Sequence, residues 1–326
     1  MRRERMSMFV IGIIAIAAVG GFYMLQSQAK AGRRSLVVST TTSLYDTGIL
    51  DEVEEAFEAE RSIDLYFISV GTGLAITHAK RGDADMILVH APPEEIAFIE
   101  EGYGVCRKII AYNFFAIIGP GGDPAGIQGL SPAEALRAIV EKGAGGSTVW
   151  VSRGDDSGTH SKEKELWSAA GLDASALREE GWYREAGTGM GKTLQIAEEF
   201  EAYTLTDMGT YLKYRTGGLV TLEVLVGAGG ELINVYSAIA VNPEKSPGVN
   251  FDGAVTFIEY LASEQGQAIF DGYGVDAYGT ALFNPAVELL RTRSDPAAAD
   301  WIEEAAYFEG SECPPRFRAG QTKLYD

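Results

Sequence analysis

From residue 35 onward, short apolar runs alternate with segments whose apolar residues recur at helical spacing. Leu36–Ser39 reads as a strand, and Ile49, Leu50, Val53 and Phe57 mark one face of a helix. Leu65–Val70 predicts the next strand, Leu74–Arg81 a helix, and Met86–His90 a third strand. Such strand–helix–strand order implies an α/β fold with parallel strands and helices on both faces. A second unit starts after Gly119-Pro120-Gly121-Gly122, where Ser131 as cap, Pro132 at the first position and Glu134 announce a helix. The strand Thr148–Val151 and the helix after Ser157, with its helical pattern over Lys162–Ala170, follow. Two further apolar runs, Tyr112–Ile118 and Leu232–Val241, read as crossings between two halves. Helices are expected at Ala254–Leu261 and around Gln265–Phe270. The chain then divides into a first lobe, 35–115 plus 237–326, and a second lobe, 116–236, with 286–326 as an appended segment.

The first 34 residues break this pattern. Met1-Arg2-Arg3-Glu4-Arg5 precedes an apolar run from Met8 to Leu25, with Ala29-Lys30-Ala31 as a small-x-small cleavage motif. That order is the pattern of an export signal. The 18-residue run also reaches the lower limit for spanning a bilayer, so an uncleaved membrane anchor fits as well. Either way the basic flank keeps the start inside and the rest extracytoplasmic. No cysteine follows the run to carry a lipid anchor. Cys106 and Cys313 are the only two cysteines, and in an exported chain they are either one disulfide or two thiols.

Charge narrows the partners. The formal net charge is −19, and after residue 34 there are 21 basic and 45 acidic residues, a net −24. Such acidity argues against nucleic acid, whose capture needs a basic surface. An anion site here would have to rely on local donors. Three strand-to-helix turns offer them: Thr40-Thr41-Thr42-Ser43, Val70-Gly71-Thr72-Gly73, and Ser152-Arg153-Gly154-Asp155-Asp156-Ser157-Gly158-Thr159-His160. Helix starts leave N–H groups without partners at the positive end of the dipole, which suits anions. Arg153 adds a planar fork matched to a tetrahedral oxyanion. In open parallel sheets ligands gather at these carboxyl ends of strands. Thr40–Ser43 also reads, more simply, as a polar turn capping a helix.

Other motifs yield less. Ala186-Gly187-Thr188-Gly189-Met190-Gly191-Lys192-Thr193 ends like a nucleotide-binding loop, but Gly181–Glu185 before it is polar and no apolar strand ending in Asp supplies a magnesium partner. The turn, with Thr188, is expected instead to add anion donors ahead of the helix Thr193–Phe200. Ser157 lacks the Gly-x-Ser-x-Gly elbow of a hydrolase, and His160 is expected as a solvated or hydrogen-bonded residue rather than a base. His78, His90 and His160 are too widely spaced to suggest a metal.

With Leu88-Val89-His90-Ala91-Pro92, Gly189-Met190-Gly191 and Ala202-Tyr203-Thr204-Leu205-Thr206-Asp207 added, the ordered set of motifs resembles the tungstate-binding (Tup) family of ABC-importer substrate-binding proteins. The resemblance covers about residues 36–285. It implies a two-lobed periplasmic-binding-protein-like fold (type II) with two crossing strands, an oxyanion clamped between the lobes, and a membrane permease as partner. It also implies ligand roles for Thr41, Thr42, Ser43 and Arg153; the reading of the turns adds Thr72, Ser157 and Thr188. No catalytic residue, metal or cofactor is expected. The missing lipid-anchor cysteine and the extra C-terminal segment depart from the family.

Tungstate and molybdate present four acceptor oxygens and no proton, so their ideal cage is built from donors alone. Phosphate keeps a proton at neutral pH and gains from an acceptor carboxylate. Asp155 and Asp156 keep a phosphate- or sulfate-binding protein as the alternative, unless they pair with Arg153 or cap the helix. A membrane-anchored enzyme acting on phosphoesters or nucleotides would need a nucleophile with its base or a metal cluster, and the sequence supplies neither.

Overall fold

The computed structural model describes residues 34–326 except Ala228. The signal or anchor expected in residues 1–34 therefore lies, but for Arg34, outside the described residues. None of the described helices is long and apolar enough to cross a membrane.

In chain order the first lobe begins with β1 (Arg34–Thr41), α1 (Thr42–Thr47), α2 (Ile49–Glu60), β2 (Ile63–Val70), α3 (Thr72–Arg81), β3 (Met86–Val89) and α4 (Pro92–Glu100). The 16-residue β4 (Gly104–Gly119) leads into α5 (Pro132–Ala144), β5 (Trp150–Ser152), α6 (Gly158–Ala169) and α7 (Ala174–Leu177). Then come β6 (Tyr183–Glu185), α8 (Met190–Glu199), β7 (Thr204–Asp207), α9 (Met208–Thr216) and β8 (Glu223–Gly227). The return strand β9 (Ile233–Val241) is followed by α10 (Phe251–Ala262), α11 (Glu264–Gly272), α12 (Val275–Tyr278), β10 (Asn284–Pro285), α13 (Val287–Thr292) and α14 (Pro296–Ala306).

The helices form where the apolar spacing put them. α2 buries Ile49, Leu50, Val53 and Phe57. α5 opens with a full capping box, Ser131 with Glu134, behind Pro132. α6 starts at Gly158, directly after Ser157 as expected, because Ser157 caps it by accepting from His160 N–H.

β1 pairs in parallel with β2 and β3, with Val38 opposite Phe67 and Met86. β5 and β6 form a separate parallel pair. The crossing strands join antiparallel: β9 lies between β3 and β4, and the far half of β4 pairs with β7 and β8. The main sheet is therefore mixed, with parallel order in β2-β1-β3, and the separate β5-β6 pair is parallel as well.

The buried apolar residues fall into separate groups. One joins Leu36, Val38 and Phe57 to Tyr236, Phe257 and Leu324. Another joins Phe115, Ile117, Trp150, Trp167 and Tyr203. Between these lies the stretch where β4 and β9 run side by side, with Asn113 opposite Asn234.

The C-terminal segment is integral rather than appended. Ile302 and Ala306 of α14 pack on Ile109, Tyr112 and Val235 of the crossing strands. Arg107 of β4, fully buried, donates to the carbonyls of Ala306 (2.7 Å) and Glu312 (2.9 Å) and pairs with Glu95 (2.8 Å). Lys108 pairs with Glu312 at 2.7 Å. Cys106 and Cys313 are both buried and carry no disulfide.

Candidate functional site

The site begins where β1 stops. Thr40 is a tie to the neighbouring strand, its hydroxyl donating to the Leu88 carbonyl at 3.0 Å. Thr41 is the N-cap of α1: its Oγ1 accepts from Leu44 N–H at 3.3 Å, and it lies 3.3 Å from Ser43 Oγ. Ser43 Oγ is 3.0 Å from Nε2 of His90, just past β3. Thr42, half-buried, faces the other lobe. Thr72 opens α3 and is buried; its Oγ1 has no partner among the described residues.

Opposite stands the turn between β5 and α6. Gly154 and Asp156 adopt positive φ (60° and 53°), which folds the chain back over the start of α6. Arg153 is 1% exposed. Its Nε donates to Asp155 Oδ2 at 3.2 Å, its Nη2 reaches the same oxygen and, at 3.4 Å, Thr42 Oγ1. Its Nη1 is buried without a partner among the described residues. The second oxygen of Asp155 accepts from Ser157 N–H at 3.2 Å, so both of its oxygens have partners, while the Asp156 side chain is 86% exposed. Thr159 Oγ1 is a third buried atom without a partner.

Glu163 fixes this platform from beneath. It is buried and accepts from Trp150 Nε1 (2.9 Å), Trp167 Nε1 (3.1 Å), Tyr183 OH (2.9 Å) and Ser152 Oγ (2.9 Å), tying β5, α6 and β6 together. The four charge-assisted bonds satisfy the carboxylate where an unpaired one would be costly. His160 is no base for Ser157: its Nδ1 accepts from Asp156 N–H at 3.0 Å, and burial lowers its pKa. The glycine-rich loop does follow a strand, β6, but Arg184 and Glu185 there are exposed, as is Lys192. Thr188 is half-buried in that loop; its carbonyl accepts from Thr193 Oγ1 at 3.3 Å.

The two lobes are shut on each other. A Cβ on Gly71 would lie 3.5 Å from the Asp155 carbonyl, and one on Gly189 3.8 Å from Thr42 Oγ1. Ser161 Oγ donates to Glu94 Oε1 across the cleft, and Lys213 Nζ donates to the Asp46 carbonyl. At Gly158 a Cβ would stand 3.0 Å from His90 Cε1, so the bare glycine lets α6 come against the imidazole. Thr41, Thr42, Ser43 and Thr72 thus lie at strand-to-helix turns that meet those of Arg153, Ser157 and Thr188.

Two groups escaped the sequence reading. Thr159 sits inside the noted motif, but only the backbone path shows its hydroxyl to be buried and unpaired. His90 is buried, its Nδ1 lies 2.9 Å from Asn234 Oδ1 on the crossing strand, and its ring stacks on Tyr236 at 4.9 Å. Burial, reinforced by the positive charge of Arg153, pushes its pKa down to about 4. No local spacing links residues 90 and 234, so sequence carried no signal of that pair.

Comparisons with known proteins agree with this architecture. A model of the PBP superfamily domain (PBP-like 2) matches residues 26–265. The tungstate-binding protein TupA of Peptoclostridium acidaminophilum is 38% identical over 263 residues, 80% of this chain and 87% of the relative. The solved structure of TupA from Desulfovibrio alaskensis G20 is 40% identical, with a TM-score of 0.66 over 77% of this chain and 98% of that one. The tungstate ABC transporter structure from Geobacter sulfurreducens is 42% identical, with a TM-score of 0.65 over 73% and 98% of the two chains. With its shut pair of α/β lobes and two crossing strands, this chain belongs to the Tup family of ABC-importer substrate-binding proteins within the PBP superfamily.

Proposed function

We propose that this protein captures tungstate or molybdate between its lobes outside the cytoplasm and delivers the anion to the membrane permease of an ABC importer. The observation that carries this reading is the donor set. Thr72 Oγ1 at the start of α3, Arg153 Nη1, and Thr159 Oγ1 in the first turn of α6 are buried without partners among the described residues, and buried polar atoms are rarely left so without a reason. The carboxylates beside them already have other partners: Asp155 serves Arg153 and Ser157, and Asp156 points to solvent. Around Arg153 the unpartnered buried atoms are donors, which suits a dianion without a proton better than hydrogen phosphate; an acceptor without a partner among the described residues, Glu94 Oε2, lies on the His90 side of the cleft. The names of relatives that match most of their length lend further support. Binding rather than catalysis is favoured because the Ser157 hydroxyl and the His160 ring are engaged separately, each with backbone N–H.

Isothermal titration with tungstate, molybdate, sulfate and phosphate tests this. Tungstate and molybdate should bind without added metal or nucleotide and far more tightly than phosphate. Preference for phosphate, or no heat with any of the four, would sink the reading.

A further inference from the structure

A chain of hydrogen bonds runs from the paired crossing strands to the oxyanion loop, and its direction is fixed at one end by a backbone carbonyl. Asn113 Nδ2 donates to the Leu282 carbonyl at 3.2 Å, so its Oδ1 faces Asn234 and accepts from Asn234 Nδ2 at 2.9 Å. Asn234 Nδ2 also donates to Tyr236 OH at 2.8 Å, which leaves Oδ1 turned to His90. That oxygen can only accept, so His90 carries its proton on Nδ1. Nε2 of the neutral ring is then a bare acceptor, and Ser43 Oγ, 3.0 Å away, donates to it. With the Ser43 proton committed, the 3.3 Å contact to Thr41 requires Thr41 to donate to Ser43, while Thr41 Oγ1 accepts from Leu44 N–H. Two hydroxyls of the oxyanion loop therefore have no proton to offer a ligand while His90 is neutral.

We propose that capture of the dianion is coupled to uptake of one proton by His90, which turns the Ser43 hydroxyl from His90 to the bound oxygens. This inference rests on the oxyanion reading above. The proton comes from solvent and settles on Nε2. The imidazolium then donates from Nδ1 to Asn234 and from Nε2 to Ser43, and Ser43 donates its own proton to the anion.

Charge gives the driving force. Arg153 is already neutralised by Asp155. Asp207, which caps α9 through Thr210 and feels Arg153, is buried with a raised pKa. A dianion closed into this site thus lacks a full cationic counterpart. The groups that act on His90 include Arg153, the dipole at the start of α6 beyond Gly158, and the un-ionised Tyr236 stacked on it. Glu94, Lys162, Lys164, Glu165 and Glu304 line the 360 Å³ cavity that His90 shares, and Glu94 Oε2 is buried without a partner among the described residues. With the site empty, burial and Arg153 hold the ring neutral; a dianion one hydroxyl away reverses the sign of the local field.

Titration of the full chain with micromolar tungstate at pH 7, in two buffers of different ionisation enthalpy, reads the proton directly. Uptake approaching one proton per anion is expected, with affinity rising by up to roughly tenfold for each unit of pH lowered toward 6. His90→Gln and Ser43→Ala should each abolish that uptake and weaken tungstate by about ten- to a hundredfold. Equal heats in both buffers with flat affinity would overturn the coupling, as would uptake that persists in both variants. Should the variants fold poorly, ¹⁵N spectra of the wild-type His90 ring decide: Nε2 should change from bare to protonated on adding tungstate, and an unchanged signal refutes the proposal. Absence of any tungstate heat would overturn the oxyanion reading along with this one, and is recognised because no binding isotherm forms at all.

Discussion

At the scale of single residues, Arg153 does two things that only a guanidinium manages together. One edge grips Asp155 and Thr42, and Nη1 is left over for a ligand. Arg153→Lys keeps the charge but must give up one of these, so tungstate affinity should fall by about ten- to a hundredfold, a lost charge-assisted bond being worth about 1.5–3 kcal/mol. Titration calorimetry checks this. Thr41 and Thr42 separate capping from binding. Thr41→Val removes the acceptor for Leu44 N–H and should lower stability by about 1 kcal/mol. Thr42→Val should leave the melting temperature near wild type and weaken tungstate. The pairing of Arg153 with Asp155 was one of the outcomes open from sequence, since the two stand two residues apart. The loss of the Ser43 proton to His90 was not, because it depends on residues 90 and 234 meeting.

His90 also sets an acid limit. Its pKa falls from 6.5 to about 4 on folding, so the unfolded chain takes up a proton that the folded one refuses. The stabilisation from a neutral His90 is whole above pH 6.5 and is lost as pH drops toward 4, on the order of a few kcal/mol. Without ligand, the melting temperature should fall between pH 7 and pH 5, and His90→Gln should flatten that slope. An equal slope in the variant would assign the acid loss to other groups.

At the scale of elements, the start of α6 approaches His90 so closely that only a glycine fits without displacement. Gly158→Ala would place a methyl 3.0 Å from the ring and 3.1 Å from the His90 carbonyl. A close-packed interface relieves such an overlap by moving apart. The variant should weaken tungstate while its ligand-free melting temperature changes little, and small-angle scattering of the loaded protein should give a larger radius of gyration than wild type. The helices were the legible elements, because apolar spacing and caps such as Ser131 and Ser157 are local. The direction of β9 was not legible: a run buried on both faces reads the same whether it pairs parallel or antiparallel. β6 escaped because three residues, two of them exposed, leave no periodicity to read.

At the scale of the molecule, two crossing strands allow the lobes to swing with few backbone changes. Ligand-free protein in solution should have a larger radius of gyration than protein saturated with tungstate, and the loaded curve should match the shut form described here. Identical curves would mean that the cleft is closed before the anion arrives. The C-terminal segment bears on the same joint. Glu312→Gln removes the partner of the buried Lys108, which should cost about 3–5 kcal/mol and appear as a marked drop in melting temperature.

That segment also dictates an order of assembly. The stretch between the crossings can bury Phe115, Trp150, Trp167 and Tyr203 as soon as it exists, for all of its partners are near in the chain. The lobe whose first strand is made early must wait. Leu36 shares a hydrophobic group with Leu324, and Arg107 stays unsatisfied until Ala306 and Glu312 reach it. The core of that lobe therefore closes only when residues at opposite ends of the described chain, Leu36 and Leu324 among them, come together.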